Sequence, residues 1–450
     1  MSRWLLRGAD LVATFDDAGT ELQGGDVLVD GDVIEAVGAG LSADGCDRVV
    51  DGAGLVVLPG LVNAHQHLYQ GGVRARPELE RALIGPWLRA LGGIVKDWWQ
   101  AGDFGPDAVQ AIAAAVLTES LLGGVTTVAD QHYFHPAGAT LPYVEATIAA
   151  AREVGVRLHA CRGTITDGPD PDVVQSIDEV LRHCAELIAT HHDPAPGSMV
   201  QVALAPCGVH VDHLDLFDEL AALAADHDGV RLHTHLYEHV DTEAAFHRYG
   251  RSPWELLVEH GWAQDRTWLA HVVDVPLAEL PDMAAAGVAV AHLPAPDLKM
   301  GWGSAPFRQF LDAGITVGMG TTGSSSNDGS DLLGDLRLAA LAHRTGEPDP
   351  ERWPTARELL RAATRGSAAC LGRRDLGSIE PGMRADLAAW DLRTVDRVGV
   401  HDPLAGLVLT GLSSHASLVA VGGQVLVEGG EPTFDVAAIA ARAREAIPCS

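Results

Sequence analysis

The stretch "LPGLVNAHQHLYQ", from Leu58 to Gln70, separates two regions that differ in their pattern of apolar and polar residues. Before it, roughly 55 residues alternate between apolar and polar positions and are punctuated by glycines, which is typical of short strands and turns. After it, short apolar runs alternate with amphipathic helical stretches, a pattern that predicts βα units around a parallel sheet. The stretch itself ends an apolar run in His65 and His67, so it sets two imidazoles at the end of the first strand of this second region.

Eight apolar runs follow one another along the second region. They are Leu61–Ala64, Val125–Ala129, Val156–Ala160, Val200–Ala205, Val230–Leu232, Trp268–Ala270, Val288–Ala291 and Ile315–Met319. Eight βα units predict an α/β fold based on a (β/α)8 TIM-type barrel, whose active site lies at the carboxyl ends of its strands. Helix signals lie between the runs: Pro106 begins a helix that ends at Gly123-Gly124, and Thr355 and Glu358 have the spacing of a capping box.

The two ends of the chain have the same alternating pattern of apolar and polar residues, and their strands are predicted to pair. "DVLVDGDVIEAVG" (Asp26–Gly38) predicts a hairpin with its turn at Asp30-Gly31. "ADLAAWDL" (Ala385–Leu392) and "ASLVAVGGQVLVEGG" (Ala416–Gly430) are alternating strands, and a last helix is expected over roughly Val436–Ala446. We therefore expect residues 1–58 and 375–450 to build a small β-sandwich, with the terminal helix in the second part, and residues 59–374 to form the barrel.

Composition and charge exclude several functional classes. The chain has 450 residues, 47% of them apolar, and a net charge of −30, which disfavours binding to nucleic acid and to anionic membranes. No run of 18 apolar residues exists and the N-terminal apolar patch is too short for a signal peptide, so neither a membrane span nor secretion is expected. The scattered cysteines, without a CxxC pair, indicate reduced thiols in a cytoplasm. They are Cys46, Cys161, Cys184, Cys207, Cys370 and Cys449.

Almost every apolar run is followed by a polar or metal-capable residue. These residues are His65, His67, Asp130, Gln131, Cys161, Arg162, Cys207, His233, His235, His271, His292, Thr321 and Thr322. Since the carboxyl ends of the strands of a barrel meet at one face, four runs that end in histidine predict a metal site there.

The histidine pairs have the spacing of metal ligands on a strand. His65 and His67 point to the same face, as do His233 and His235, because strand side chains alternate. The alternative is that they are barrel-core histidines satisfied by hydrogen bonds, and this interpretation suits His233, which sits deeper. Glu238 follows on the loop, where it is either close enough to the metal to move protons or only a solvated acid.

The positions of two further histidines predict different roles, one at the metal and one in the structure. His271, at the sixth strand end, is a candidate metal ligand or a partner of a metal-bound water, whereas a structural role is favoured for His292. Three or four neutral imidazoles with an open position are typical of a catalytic zinc, which lowers the pKa of bound water to about 7. The residues alone therefore predict a metal-dependent hydrolase.

Nearly the whole chain resembles the amidohydrolase superfamily. The resemblance rests on "LPGLVNAHQH", "GVTTVAD", "HTHLYE", "WLAHVV" and "LGSIEPGMRADLA", in that order. Within the superfamily, "HQHLYQGGVRARPELER", "APDLKMGWG" and "GITVGMGTTGSSSNDGSDLLGDLRLAALAHR" resemble the s-triazine hydrolases. Deaminases of 8-oxoguanine, isocytosine and other aminated heterocycles share the same framework.

The resemblance implies roles for individual residues. It implies one zinc ion per chain, with ligands His65, His67, His235 and His271. It also implies that Glu238 shuttles protons and that Thr322 occupies the position where most relatives have a metal-binding aspartate. The s-triazine hydrolases also have threonine there, and their fourth imidazole takes up metal binding. Gln70 departs from their pattern, which has glutamate, and matches the oxoguanine-type deaminases.

A threonine in place of the aspartate suits leaving groups that depart without a proton. Threonine cannot act as a base near pH 7, and an amine must be protonated to leave, whereas chloride or thiolate need not be. We therefore predict displacement of chloride, thiolate, alkoxide or amine from an aminated N-heteroaromatic ring, with s-triazines favoured. The alternatives are a purine or pyrimidine deaminase and a catalytically silent metal-binding barrel.

The remaining predictions concern the substrate and the partners. The predicted catalytic residues are Glu238, His271 and Thr322, and the predicted substrate contacts are Gln70, Trp87, Trp302 and Gln131. Trp87 and Trp302 are expected to stack on a flat ring, the alternative being plain packing. Asp328 is a rival metal ligand, although a role in bracing its loop is favoured. We expect a small heteroaromatic molecule as the ligand and a homodimer as the assembly.

Overall fold

The chain forms three β-sheets connected by helices in the computed structural model, which describes residues 2–138, 141–410 and 415–448. The strands are β1 (Arg3–Ala9), β2 (Leu11–Ala13), β3 (Glu21–Leu22), β4 (Gly25–Asp30), β5 (Val33–Gly38), β6 (Arg48–Asp51), β7 (Leu55–Pro59), β8 (Leu61–His67), β9 (Val125–His132), β10 (Arg157–Thr164), β11 (Val200–Pro206), β12 (Arg231–Leu236), β13 (Thr267–His271), β14 (Ala289–His292), β15 (Thr316–Met319), β16 (Thr322–Gly323), β17 (Leu387–Asp391), β18 (Leu418–Val421), β19 (Gln424–Glu428) and β20 (Glu431–Pro432).

The helices lie mostly between the strands of the second region. The α-helices are α1 (Pro77–Glu80), α2 (Ile84–Ala101), α3 (Pro106–Leu122), α4 (Tyr143–Val154), α5 (Ile177–His191), α6 (Leu214–Ala225), α7 (His239–Tyr249), α8 (Pro253–Glu259), α9 (Leu280–Ala286), α10 (Pro294–Lys299), α11 (Phe307–Asp312), α12 (Leu332–Ala342), α13 (Ala356–Arg361), α14 (Ser367–Cys370), α15 (Pro403–Leu409) and α16 (Val436–Ala446). Short 3-10 or π segments cover Leu68–Val73, Leu277–Glu279, Pro350–Arg352, Ala362–Gly366 and Val395–Arg397.

The largest sheet is parallel and has nine strands, in the order β15-β14-β13-β12-β11-β10-β9-β8-β16. Strands β8 to β15 correspond to the eight predicted apolar runs, so the predicted parallel α/β arrangement is confirmed. The sheet curls back on itself between β15 and β16. There the amide of Gly320 donates to the carbonyl of His292 (3.1 Å) and the amide of Thr321 donates to that of His65 (3.2 Å), so this segment contacts both the seventh and the first strand.

The strands extend beyond the apolar runs that predict them. Strand β9 continues to His132 and β12 continues to Leu236, and every residue of β9 is buried. The polar residues predicted to follow the strands, such as His235, are therefore mostly their last members. Their side chains are fixed by the sheet ladder rather than by loops, which makes the positions of the imidazoles well defined.

The local helix signals are confirmed by the structure. Helix α3 begins at Pro106 and its C-cap is Gly123. At the start of α13, Thr355 accepts from the amide of Glu358 while the Glu358 carboxylate accepts from the amide of Thr355, which is a capping box. Helix α16 covers the predicted range, Val436–Ala446.

The two ends of the chain pair with each other, as predicted. The seven-stranded sheet has the order β20-β19-β18-β17-β7-β2-β3, and β17 pairs with β7 antiparallel, with Leu387 opposite Pro59. A four-stranded sheet, β5-β4-β1-β6, shares a buried cluster with it that includes Trp4, Val57 and Leu387. The hairpin turn comes one residue later than predicted, at residues 31 and 32, because Asp30 still pairs with Val33.

Two further findings concern membrane-spanning helices and the cysteines. None of the helices in the described part of the chain has the length and apolar character needed to cross a membrane. The cysteines at positions 46, 161, 184, 207 and 370 are free thiols, and Cys449 lies outside the described residues.

Candidate metal centre and active site

Three imidazoles converge at the carboxyl ends of β8 and β12. His65 and His67 alternate along β8 and face the same side, and His235 comes from β12. Their candidate ligand atoms all lie within 4.8 Å of one another, and the Nε2 atoms of His67 and His235 are 3.3 Å apart. All three side chains are buried. The structure thus brings together three of the four predicted metal ligands.

Backbone carbonyls fix the orientation of two of these rings. The Nδ1 of His67 lies 2.7 Å from the carbonyl oxygen of Gln131, and the Nδ1 of His235 lies 2.6 Å from that of Cys207. A carbonyl oxygen only accepts, so each Nδ1 carries the proton and each Nε2 keeps its lone pair. Both rings therefore present Nε2 as the donor atom for a metal.

The third ring, His65, is oriented by a second histidine instead of a carbonyl. Its Nδ1 lies 2.8 Å from Nε2 of His233, whose own Nδ1 donates to the carbonyl of Trp268 at 2.9 Å. A neutral His233 that donates through Nδ1 can only accept at Nε2, so His65 donates there. The predicted supporting role of His233 thus has a specific form, since it fixes the tautomer that leaves Nε2 of His65 free.

Burial keeps the converging imidazoles neutral. It lowers the pKa of His67 and of His233 to about 3, and it lowers the pKa of His65 and of His235 well below the ordinary value, helped by repulsion among the rings. The Nε2 of His65 is buried and has no hydrogen-bond partner among the described residues. Neutral imidazoles that aim free Nε2 atoms at one point have the donor chemistry of a zinc site, so these residues fit a zinc ion.

His271 lies beside this trio between two acids. Its Nδ1 is 2.6 Å from the Asp297 carboxylate and its Nε2 is 3.2 Å from that of Glu238. Burial would lower the pKa of His271, but the two carboxylates outweigh it and raise this pKa. The candidate ligand atoms of His271 form a second compact group with those of His235 and Glu238. The structure therefore places His271 at the edge of the trio, with Nε2 already engaged by an acid.

Glu238 is a buried acid, not a solvated loop residue. It is 9% exposed, and burial raises the pKa of its carboxyl to about 7, above the usual range, although the charge of His271 opposes the shift. A carboxyl group with a pKa near 7 can both donate and accept a proton at neutral pH. Glu238 thus has the property that the predicted proton shuttle requires.

Thr322 occupies the eighth strand end in a strained conformation. Its φ is 56°, which is costly for a β-branched residue, and its hydroxyl is buried with no hydrogen-bond partner among the described residues. His271 (φ 72°) and Tyr237 (φ 58°) share this left-handed conformation at neighbouring strand ends. Strain of this kind clusters at functional sites, and Thr322 and His271 both line one cavity.

That cavity has many of the predicted chemical groups on its wall. The predicted site residues that line it are His67, His235, Glu238, His271, Thr322, Gln70, Trp87 and Trp302. The Trp302 ring lies edge-on to His271, with ring centroids 5.4 Å apart. The cavity is enclosed largely by flat or apolar side chains with a few polar groups, which is typical of a site for a small organic molecule.

The sequence and the fold match those of known hydrolases over nearly their full length. The profile of the amidohydrolase family matches residues 56–426. The chain belongs to the amidohydrolase family. It is 36% identical to 8-oxoguanine deaminase from Pseudomonas aeruginosa, over 99% of this chain and 98% of that protein. It is 32% identical to hydroxydechloroatrazine ethylaminohydrolase from Pseudomonas sp. strain ADP, over 96% of this chain and 92% of that protein.

A solved structure gives a still stronger match. Atrazine chlorohydrolase TrzN from Arthrobacter aurescens TC1, crystallised in complex with zinc, is 55% identical, with a TM-score of 0.97 over 99% of this chain and 100% of that one. The amidohydrolase described here is accordingly a metal-dependent hydrolase.

The structure places the two glutamines predicted as substrate contacts differently. Gln131 does not reach the cavity, because its side-chain amide donates to the carbonyls of Ala205 and Pro206 at 3.0 and 3.2 Å. Its contribution is instead the backbone carbonyl that orients His67. Gln70 does line the cavity, where its amide donates to the hydroxyl of Tyr133 at 2.9 Å.

The structure gives the remaining acid and histidine supporting positions. Asp328 pairs with Lys299 and accepts from the amide of Ala75 at 2.9 Å, so it braces its loop, as favoured. The Nε2 of His292 lies 3.0 Å from Nε2 of His343, away from the converging trio, which agrees with the structural role predicted for it.

Sequence patterns missed several groups of this amidohydrolase site. Asp297, the partner of His271, lies in helix α10 and is not at a strand end, so the rule that identifies strand-end residues does not select it. His210 and Asp241 form a buried pair beside Glu238, with Nδ1 and Oδ1 2.5 Å apart. The carbonyl of Cys207 leaves no sequence signal, because any residue at that position supplies one.

Proposed function

We propose that this amidohydrolase displaces a leaving group from an aminated N-heteroaromatic ring, with s-triazines as the favoured substrates. The leaving group is chloride, thiolate or alkoxide, or else an amine. The observation that carries the proposal is the absence of an acid at Thr322, which lines the same cavity as Glu238 and has a buried hydroxyl without a hydrogen-bond partner among the described residues. The 55% identity to atrazine chlorohydrolase over 99% of this chain supports the same substrate class.

His65, His67 and His235 are proposed to hold one zinc ion, with His271 as the fourth imidazole. When bound, zinc supplies hydroxide near neutral pH because it lowers the pKa of a coordinated water to about 7. For His271 to take part, its Nε2 has to turn from the carboxylate of Glu238, which now lies 3.2 Å away. Asp297 would keep the ring oriented through Nδ1 during that change, since their 2.6 Å contact does not involve Nε2.

Glu238 is proposed to donate a proton to a ring nitrogen. Protonation of the ring withdraws electron density from the carbon that is attacked, and one such general acid contributes about 10²–10⁴-fold. Thr322 is proposed not to protonate the leaving group. Its hydroxyl cannot accept a proton from water at neutral pH and so has none to pass on. The two residues together favour groups that depart as anions.

Trp87, Trp302 and Gln70 are proposed to position the ring. Both indoles lie on the wall of the cavity, where a flat heteroaromatic ring can stack on them or meet their edges. Gln70 accepts from the hydroxyl of Ser325 and donates to that of Tyr133, which fixes the side chain. A fixed neutral amide at this position can distinguish ring substituents by their hydrogen bonds.

A second function, deamination of a purine or pyrimidine such as 8-oxoguanine or isocytosine, is favoured by Gln70 and by one relative. That relative, 8-oxoguanine deaminase, is 36% identical over 99% of this chain. A catalytically silent zinc-binding barrel is the third candidate.

A substrate panel distinguishes these functions. Purified protein with its zinc content measured is assayed on a chloro-, a methylthio- and a methoxy-s-triazine, and on 8-oxoguanine and isocytosine, by the change in ring absorbance. We expect the triazines to be hydrolysed with the highest kcat/KM. Preferred turnover of 8-oxoguanine or isocytosine supports the deaminase, and stoichiometric zinc without any turnover supports the silent barrel.

Variants test the proposed role of Glu238. Glu238→Gln should lower kcat about 10²–10⁴-fold, whereas Glu219→Gln, at an exposed position of α6, should leave kcat unchanged. Equal activity in the wild type and Glu238→Gln would contradict a proton-donating role.

We further propose that the parallel sheet is a (β/α)8 TIM-type barrel over residues 59–374 and that residues 1–58 and 375–450 build one β-sandwich. The shared cluster between the two end sheets supports this division. Release of residues 1–55 as an independently folded piece by limited proteolysis would contradict it. A cytoplasmic homodimer is proposed as the working form, and light scattering tests the dimer.

A further inference from the structure

A second and larger cavity lies next to the catalytic one. This outer groove is bounded by helix α2, the loop after β10 and helix α7. Much of its wall is apolar, and the residues that form this apolar part include Leu91, Val95, Phe134, Val173, Val211 and Val240. Neither the zinc-binding histidines nor Glu238 lies on this wall, so the chemistry described above does not use it.

The outer groove and the catalytic cavity share part of their walls. Leu88, Tyr133, Cys207 and His210 line both of them. Leu88 is only half-buried, so a change of its rotamer is not prevented by tight packing. A molecule whose ring occupies the catalytic cavity can therefore reach the groove only past these four side chains.

Charge at the edge of the groove is of both signs and partly neutralised. Asp170 accepts from Lys96 at 2.8 Å, and Arg248 donates to Asp167 at 2.7 Å. No single sign of charge dominates this edge, so the groove has no strong preference for an ion. An uncharged apolar group suits the lining best, because its binding removes the apolar surface of the group and that of the groove from water.

Helix α2 widens the groove at a cost to its own stability. Gly92 and Gly93 are adjacent in its interior and line the groove, and a Cβ atom added at either would meet nothing within 4 Å. Glycine in a helix interior costs about 1 kcal/mol relative to alanine. Neither a close contact nor a left-handed conformation requires these glycines, so their effect is to leave space in the groove.

We propose that the outer groove binds an extended, uncharged apolar substituent of the substrate, such as a long alkylamino chain, while the ring stays in the catalytic cavity. The inference rests on the proposed function, since it assumes a substituted heteroaromatic ring at the zinc site. Its own content is that selectivity favours long apolar chains, which extend from the catalytic cavity past the shared wall into the groove.

A series of 2-chloro-s-triazines with one N-alkyl chain, from ethyl to octyl, tests the proposal. For wild type we expect kcat/KM to rise about fourfold for each methylene that becomes buried, until the chain fills the groove. The 2-hydroxy product of each compound, used as a competitive inhibitor, should show the same dependence in its inhibition constant. That second readout separates binding in the groove from the chemical step.

Filling the groove should remove this dependence without affecting the small substrate. In Gly92→Leu the new side chain occupies the groove, and leucine favours helix more than glycine does, so the fold is preserved. We expect the ethyl compound to react at the wild-type rate and the gain with longer chains to disappear. Ala101→Leu, at an exposed position at the end of the same helix, should behave as wild type. Gly93→Leu repeats the test should Gly92→Leu fail to fold.

The outcomes distinguish the inference from the proposed function. Turnover of the ethyl compound with no dependence on chain length, or with the same dependence in wild type and in both leucine variants, overturns the groove assignment alone. Absence of turnover for every compound overturns the proposed function and this inference with it.

Discussion

His233 offers a way to test the proposed zinc site without changing a proposed zinc ligand. Its Nε2 accepts from Nδ1 of His65 at 2.8 Å, and its Nδ1 donates to the carbonyl of Trp268, on whose ring it stacks with centroids 4.2 Å apart. His233→Phe keeps a flat ring for this stacking but removes the acceptor. His65 then has no partner for its Nδ1 proton and loses the bond that keeps Nε2 unprotonated.

The expected loss of zinc affinity follows from the number of hydrogen bonds to metal-binding histidines that the substitution removes. Removing a hydrogen-bond partner of a metal-binding histidine typically lowers metal affinity about 10–100-fold, or about 1.4–2.8 kcal/mol. The partners of His67 and His235 are backbone carbonyls and stay in place. Only one of three rings is released, so we expect His233→Phe to weaken zinc binding within that range and not to abolish it.

Competition with a chromophoric chelator measures the zinc affinity of each variant. His233→Gln should retain more affinity than His233→Phe, because the glutamine carbonyl can accept from His65 while its amide donates to Trp268. His159→Gln is the matched control: His159 is buried and also contacts the Trp268 ring, at 5.4 Å between centroids, but no zinc ligand. Wild-type affinity in a folded His233→Phe protein would refute the argument from tautomers.

Three further predictions test the site and the fold. The double variant His65→Ala/His67→Ala should lose stoichiometric zinc, measured by atomic absorption after dialysis, and full retention would mean that the ion binds elsewhere. Asp386→Asn should lower the free energy of unfolding in urea by about 3–5 kcal/mol, because Arg157 is 1% exposed and its Nε lies 2.8 Å from the Asp386 carboxylate. A change within about 0.5 kcal/mol would show that this buried pair contributes little. Thr322→Asp should slow chloride displacement at pH 7 and move its pH–rate profile to higher pH, while favouring an amino leaving group. Unchanged rates and profile for a chloro and an amino substrate would place Thr322 away from the reacting atoms.

The fold was predictable because its signals are local. Each of the strands β8 to β15 buries a short apolar run, and glycine or proline marks where the chain turns, as at Pro106 and Gly123. The positions where strands end were less predictable. Residues such as His132 and His235 continue the ladders past the apolar runs, and both are polar. Hydrophobic pattern alone does not mark such positions as strand.

The site was predictable only where side chains follow a strand period. Alternation along β8 identifies His65 and His67, and the same spacing identifies His235. Groups whose role depends on distant contacts leave no such pattern. Asp297 reaches His271 from a helix, so the strand period does not select it. The Gln131 side chain donates to the carbonyl of Ala205 in β11, a contact that its place after an apolar run does not reveal.

The positions of the acids around the imidazoles indicate which kind of leaving group can depart beside Thr322. Glu238 and Asp297 both contact His271, so both carboxyl groups are engaged at this ring. Thr322 lines the same cavity with a buried hydroxyl that no described residue satisfies. A leaving group at Thr322 meets a neutral donor that can stabilise a departing anion by a hydrogen bond but cannot transfer a proton to an amine at neutral pH. The strained backbone at φ 56° would be easier for aspartate than for a β-branched residue, so the conformation does not exclude an acid. The absence of that acid is therefore a chemical feature of the site and not a steric consequence of the fold.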